Sequence, residues 1–370
     1  MTATDLALFV DDDAQFVDLC KQWQQVDFLA LDTEFIRTDT FYPIAGLLQV
    51  SDGHSNYLLD PLKITDFSAF AALMKDQGIV KVLHSCSEDL EVFDRLVGEL
   101  PSPLFDTQIA AAISGLGFSM SYQRLVEALL DIHVEKGETR SNWLQRPLTQ
   151  SQCHYAALDV EHLPKVYHLL SNRLTDLNRS QWLVEECEAS IAKYHSNEPY
   201  YKKVKSAWKL SSSQLGLLEQ LTTWREQQAR ARDVPRGRII KDRSCFEIAA
   251  KPPRSKTQLS AVEDITSKIV RTDGDTILSL IEQYQANPSN LPALPKPLPK
   301  ESSATLKQLK EHVRIKAQQL DVPAELLVKK RDYEAIIRSG LRGAKYQLPS
   351  TLQGWRQNAV ANDLLALLNR

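Results

Sequence analysis

Cysteine is scarce in this 370-residue chain and badly spaced for any shared task. Cys20, Cys86, Cys153, Cys187 and Cys245 are odd in number, and no two stand as C-x-x-C. That argues against a zinc ribbon and a disulfide framework, and a reducing, cytoplasmic setting is expected. Long apolar runs are missing too: none approaches the roughly 18 residues a membrane helix needs. Met1-Thr2-Ala3-Thr4-Asp5-Leu6 has no basic start followed by an apolar core, so no secretory leader is expected. There is no G-x-x-x-x-G-K-[ST] loop, which disfavours a nucleotide-driven motor and a nucleotide cofactor.

What is present is ordinary soluble composition, 43% hydrophobic and 25% charged, with room for two or three domains. The net charge of −3 conceals a division. From residue 201 onward there are 30 Lys and Arg against 17 Asp and Glu, while the first 200 residues carry 14 against 30. An acidic half joined to a basic half suits a cation-using catalytic domain attached to modules that grip a polyanion. Two ordinary domains with different surface charge would give the same counts.

The strongest chemical signal is Leu31-Asp32-Thr33-Glu34-Phe35. Phe28 to Leu31 form a short apolar run that reads as a buried strand. Side chains alternate along a strand, so Asp32 and Glu34 share a face. Two like charges in a poorly solvated place repel and lose hydration, a penalty that a divalent cation between them would remove. The plainer alternative is a pair of solvated acids on an edge strand.

Around that strand the pattern is mixed α/β. Gly46–Ser51 and Asn56–Asp60 flank Asp52-Gly53, an antiparallel hairpin signal, and Ile79–Leu83 reads as a further buried strand. Helices are expected over Phe67–Lys75, from Ser85 with a Ser85/Glu88 capping box, over Thr107–Ser114 with Asp106 as N-cap, and over Ser119–Leu130. A Thr149/Gln152 capping box should open a long helix running to about Leu174. The expected fold is an α/β sheet with helices over it, followed by all-α modules.

Strand signals vanish from Gln181, and Asn197-Glu198-Pro199 marks a boundary, giving a first domain over residues 1–198. Trp208 to Arg232 reads as a helix ended by Asp233-Val234-Pro235. Pro292, Pro295, Pro297 and Pro299 make residues 289–300 an extended spacer. Asp233-Val234-Pro235 is followed by Ile239, Ile240 and Phe246-Glu247-Ile248-Ala249; Asp321-Val322-Pro323 is followed by Leu326, Leu327 and Tyr333-Glu334-Ala335-Ile336. This points to a duplicated helical module over residues 206–288 and 301–370.

Three more residues are candidates to join Asp32 and Glu34. Asp89 falls in the first turns of a helix, a place that favours a carboxylate on any protein. Tyr155 and Asp159 are spaced i, i+4 on one helix face. Together the set suits hard cations such as magnesium or manganese, two of which, about 4 Å apart, grip the attacking and leaving oxygens of a phosphodiester displacement. A nearby phenol can orient the attacking water. Thr33, Phe35, Gln49 and His84 are candidates for substrate contact. Phe35 is equally at home in the core, Gln49 needs a hydrogen bond wherever it is buried, and His84 suits a satisfied core histidine.

Asp32-Thr33-Glu34, His84-Ser85-Cys86-Ser87-Glu88-Asp89 and Tyr155-Ala156-Ala157-Leu158-Asp159 resemble the three motifs of the DEDD exonuclease superfamily, in its tyrosine-bearing branch. With Trp143-Leu144 and Arg146-Pro147-Leu148, the wording is most similar to the ribonuclease D family. The basic segments Trp208–Tyr284 and Thr305–Leu368 resemble tandem HRDC modules. The resemblance implies a ribonuclease-H-like fold and two divalent ions, Mg2+ or Mn2+, held by Asp32, Glu34, Asp89 and Asp159, with Tyr155 positioning the nucleophilic water. It implies 3'-5' removal of 5'-mononucleotides from RNA with an accessible 3' end, such as tRNA precursors. A DNA exonuclease or a non-catalytic nucleic-acid-binding protein are the alternatives.

Overall fold

A computed structural model describes residues 6–135, 137–138 and 141–369. Residues 1–5, most of the stretch read above for a leader, lie outside them. The chain forms two compact units: Met1–Ile36, Ile44–His195 and Leu298–Arg370 make one, Arg37–Pro43 and Ser196–Pro297 the other.

The first unit is built on a six-stranded sheet. In chain order its elements are β1 (Leu8–Val10), α1 (Asp13–Trp23), β2 (Phe28–Ile36), β3 (Ile44–Ser51), β4 (Asn56–Leu59), α2 (Ser68–Lys75), β5 (Val80–Leu83), α3 (Asp89–Leu96) and β6 (Leu104–Asp106). Helices α4 (Thr107–Ile113), α5 (Tyr122–Leu130), α6 (Gln150–Glu161), α7 (Leu163–Asp176) and α8 (Ser180–Tyr194) follow. The strand order is β1-β4-β3-β2-β5-β6. β2, β3 and β4 form the expected antiparallel meander, while β5 and β6 run parallel to β2 and β1 runs parallel to β4. The Asp52-Gly53 turn works as its sequence suggests: the Asp52 carboxylate accepts from the His54 and Ser55 N–H groups, each at 2.8 Å. Leu29, Ala30 and Leu31 are fully buried, which explains an apolar run without alternation.

Several expectations need correction. The edge strands β1 and β6 and helix α1 are absent from the sequence-based expectation; three-residue strands carry too little pattern to stand out. The helix opened at Thr149 does have its capping box but ends at Glu161, because Pro164 in the first turn of α7 supplies no N–H to continue it. Helix α5 starts at Tyr122, capped by Ser121, and not at Ser119, whose φ is 50°. The Ser85/Glu88 capping box does not form: Glu88 is the N-cap of α3 without a side-chain bond, and Ser85 has φ 61°.

In the second unit, α9 (Ser212–Ala231) opens with a Ser211/Gln214 capping box and is followed by α10 (Arg236–Ile239), α11 (Asp242–Ala250), α12 (Lys256–Ser260), α13 (Ser267–Thr272) and α14 (Gly274–Ala286). Leu217, Leu218, Leu221, Ile240, Ile248 and Ile277 fill its core.

The C-terminal segment carries α15 (Ser303–Leu320), α16 (Ala324–Leu327), α17 (Lys330–Ser339) and α18 (Asn362–Leu368). Its element order repeats that of α9–α11. A long helix stops at an aspartate in left-handed conformation, Asp233 at φ 45° and Asp321 at φ 49°, and a proline then caps a four-residue helix. This segment shares one core with the α/β layer: Leu309, Val313, Ile336 and Trp355 are buried together with Phe93, Leu170 and Cys187. Trp355 stacks on Trp182 of α8 with ring centroids 4.2 Å apart, and its indole N–H donates to Glu186 at 3.0 Å.

Candidate active site

β5 pairs with β2 only from Phe28 to Ala30, so β2 runs on alone past the end of its parallel neighbour. Asp32 and Glu34 lie in that projecting part, opposite Gln49 and Leu47 of β3. The side of β2 left open is taken by the start of α3. There Asp89, the first residue of the helix and buried, accepts a short hydrogen bond from the Thr33 hydroxyl. A helix N-terminus also favours the anion at that position.

The turn leading to Asp89 is organised by Asp106 at the end of β6. Its carboxylate accepts from Ser85 N–H at 3.1 Å and Cys86 N–H at 3.0 Å, and also caps α4 through Gln108 and Ile109. The sequence suggests only the cap; the second duty depends on β5 and β6 being neighbours.

Helix α6 lies over the face of the sheet that carries the acids. Its buried Ala156 packs with Leu47, Leu58 and Trp143, and Tyr155 lies against that cluster. The Tyr155 phenol bonds to Asp159 one turn on. The helix is pinned by Tyr122, whose hydroxyl donates to the Leu158 carbonyl at 3.0 Å and accepts from His162 N–H at 3.3 Å. Before the helix, Arg146 donates to both oxygens of the buried Asp60 and to the Gly46 carbonyl at 2.7 Å. Gly46 is required: a Cβ there would sit 2.6 Å from Cβ of Trp143. Tyr122 and Asp60 carry no local motif, and only the tertiary contacts reveal them.

The electrostatics show how closely the motifs converge. Burial, and then the charges of Asp89, Asp159 and Glu34, hold the Asp32 carboxyl well above the ordinary range. Burial and the same neighbours, Asp159 before Asp89, push Glu34 up to about 9. Burial raises Asp159 to about 7 against the opposing Tyr155 hydrogen bond, and raises Asp89 to about 6 against the bond from Thr33. The Tyr155 phenol is pushed upward by burial, then by Asp159, Glu34 and Asp32, so it keeps its proton at neutral pH.

Among the described residues, no three acidic, histidine or cysteine side chains are drawn together as a ready-made metal cage. Four hard oxygen donors that cannot all ionise side by side nonetheless fit divalent cations, which would neutralise them.

Asp32, Glu34, Asp89, Tyr155 and Asp159 thus lie near enough for their charges to act on one another. The weaker substrate candidates fare differently. Thr33 is spent on Asp89, and Gln49 is 0% exposed, out of reach of any substrate. His84 uses both ring nitrogens, on Thr107 at 2.9 Å and the Met120 carbonyl at 3.1 Å, and burial holds its pKa down. It is the satisfied histidine. Phe35 is half-buried and follows a register shift at which β3 carries the extra residue, Gly46, between the partners of Glu34 and Phe35.

Residues 8–175 match the family described as 3'-5' exonuclease, and residues 214–281 match the HRDC domain. Ribonuclease D of Pseudomonas paraeruginosa is 46% identical over 365 residues, covering 97% of each chain. The chain belongs to the ribonuclease D family. It is a 3'-5' exoribonuclease, a hydrolase of a family that acts on RNA and generally uses divalent metal ions. Ribonuclease D of Escherichia coli is 34% identical over 98% of both chains. Its crystal structure, described as that of an exoribonuclease involved in structured RNA processing, matches with a TM-score of 0.87 at 33% identity over 98% of each chain. No helix among the described residues is long and apolar enough to cross a membrane.

Proposed function

We propose that this ribonuclease D family member trims RNA 3' ends, tRNA precursors among them, by two-metal-ion hydrolysis that releases 5'-mononucleotides. The observation that carries the reading is the convergence of three separate motifs: burial raises all four carboxyls, and the charges of Asp89 and Asp159 raise Asp32 and Glu34 further. Asp32, Glu34, Asp89 and Asp159 would hold two ions, Mg2+ or Mn2+. When bound, the ions supply charge neutralisation and Lewis acidity at the scissile phosphate.

The chain's own residues do the rest. Tyr155 keeps its phenolic proton, so it orients the attacking water as a hydrogen-bonding partner and not as an anionic base. Thr33 steadies Asp89, and Phe35 offers a ring for the terminal base. Residues 1–198 serve as the exonuclease domain. The HRDC-type modules at 206–288 and 301–370, joined by the Pro-rich linker 289–300, hold the RNA body through backbone charge, which requires no base reading. The five unpaired cysteines suit a cytoplasmic setting.

Digestion of a 3'-tailed structured RNA with Mg2+ or Mn2+, followed by product analysis, tests this. Stepwise shortening from the 3' end with 5'-mononucleotides is expected. Internal cuts, or activity that survives both chelation and Asp32→Asn, would refute it.

A further inference from the structure

The side-chain amide of Gln49 finds no protein partner for either its nitrogen or its oxygen, although the residue is 0% exposed. Buried amides are almost always hydrogen-bonded, so an exception calls for a physical reason.

Its place in the sheet supplies one. Gln49 has two cross-strand partners, Asp32 on β2 and Leu58 on β4. Residues directly opposed on neighbouring antiparallel strands project from the same face. That face is the one under α6, where Leu47, Leu58, Trp143 and Ala156 are packed with Tyr155 against them. The amide is therefore enclosed in an apolar layer, and of its two register partners only Asp32 is polar. An amide there is wasteful as packing, because methionine or leucine would fill the volume without a polar group to desolvate.

We propose that Gln49 is a positioning residue for Asp32: its Nε2 steadies the carboxylate from behind when Asp32 holds a cation. A metal-binding carboxylate needs a partner for the oxygen turned away from the ion, and without one it swings. A neutral donor provides that partner without adding a competing charge. This rests on the reading of Asp32 as a metal ligand. Being fully enclosed, Gln49 acts through Asp32 and never on RNA directly.

The test is Gln49→Met in the full chain, with Mn2+ affinity measured by electron paramagnetic resonance and thermal unfolding measured in chelator. The variant is expected to melt at the same or a higher temperature than wild type without metal. It should nevertheless bind Mn2+ about 10–100-fold more weakly. Its kcat should fall while KM for RNA stays unchanged. In an Asp32→Asn background, Gln49→Met should weaken residual Mn2+ binding no further.

Unchanged Mn2+ affinity in the single variant would overturn the proposal. So would a lower melting temperature in chelator, or failure to fold, since either assigns the amide to the framework. A further loss in the Asp32→Asn background would place its action elsewhere. Wild-type protein that binds no Mn2+ would refute the underlying reading of the carboxylates, an outcome distinct from all of these.

Discussion

Thr33 donates its hydroxyl hydrogen to the carboxylate of Asp89, a residue 56 positions away, and so ties the first acidic motif to the second. The bond opposes the burial that raises Asp89. In Thr33→Val, which keeps the shape and removes the donor, Asp89 should hold its proton more tightly and be less fixed. Metal affinity and kcat should each fall about 10–100-fold, with the melting temperature in chelator little changed. Titration with Mn2+ alongside steady-state kinetics would check this.

The site should make metal binding and stability depend on pH in opposite directions. Glu34 titrates at about 9 and Asp159 at about 7 in the cation-free fold, against about 4 in the unfolded chain. Between those values the native state holds protons that the unfolded state has released, so stability without metal falls as pH rises from about 4 towards 9. Cations bind the ionised carboxylates and displace those protons. The rise in melting temperature on adding Mg2+ should therefore be larger at pH 8.5 than at pH 6, as scanning calorimetry at the two pH values would show.

Tyr155→Phe removes the phenol that bonds to Asp159 and leaves the ring against Leu47 and Trp143. Loss of a positioned proton-handling group typically costs about 10²–10⁴-fold in rate. That loss should appear in kcat, with Mn2+ affinity close to wild type. Single-turnover digestion of a short RNA separates the two.

Trp355 belongs to the C-terminal helices yet completes the core of the α/β unit through Trp182 and Glu186. Trp355→Ala should cost about 3–5 kcal/mol, read from the denaturation midpoint. For the same reason a cut after residue 200, inviting on charge alone, removes Leu309, Val313 and Trp355 from that core and should leave an aggregation-prone product.

Most of the candidate site is legible in the sequence because its chemistry is local. Asp32 and Glu34 share a strand, Tyr155 and Asp159 share a helix face, and the Thr149/Gln152 box that starts that helix lies within four residues. What it hid was the support, which exists only in three dimensions. Asp106 reaching Ser85, Tyr122 reaching Leu158 and Arg146 reaching Asp60 join segments 21, 36 and 86 residues apart. Those side chains look like ordinary caps or core residues until the sheet order is known. Phe118, Leu169 and the short strand Leu8–Val10 illustrate the opposite failure, where apolar character foretells neither burial nor element.

The central claim is that acids scattered over the first 160 residues meet around two bound cations. Anomalous diffraction from crystals grown with Mn2+ and a non-hydrolysable RNA 3' end tests it most directly. Two peaks enclosed by Asp32, Glu34, Asp89 and Asp159, with Tyr155 beside the scissile phosphate, are predicted. Peaks lying away from these carboxylates, with the RNA end bound at the site, would contradict the account.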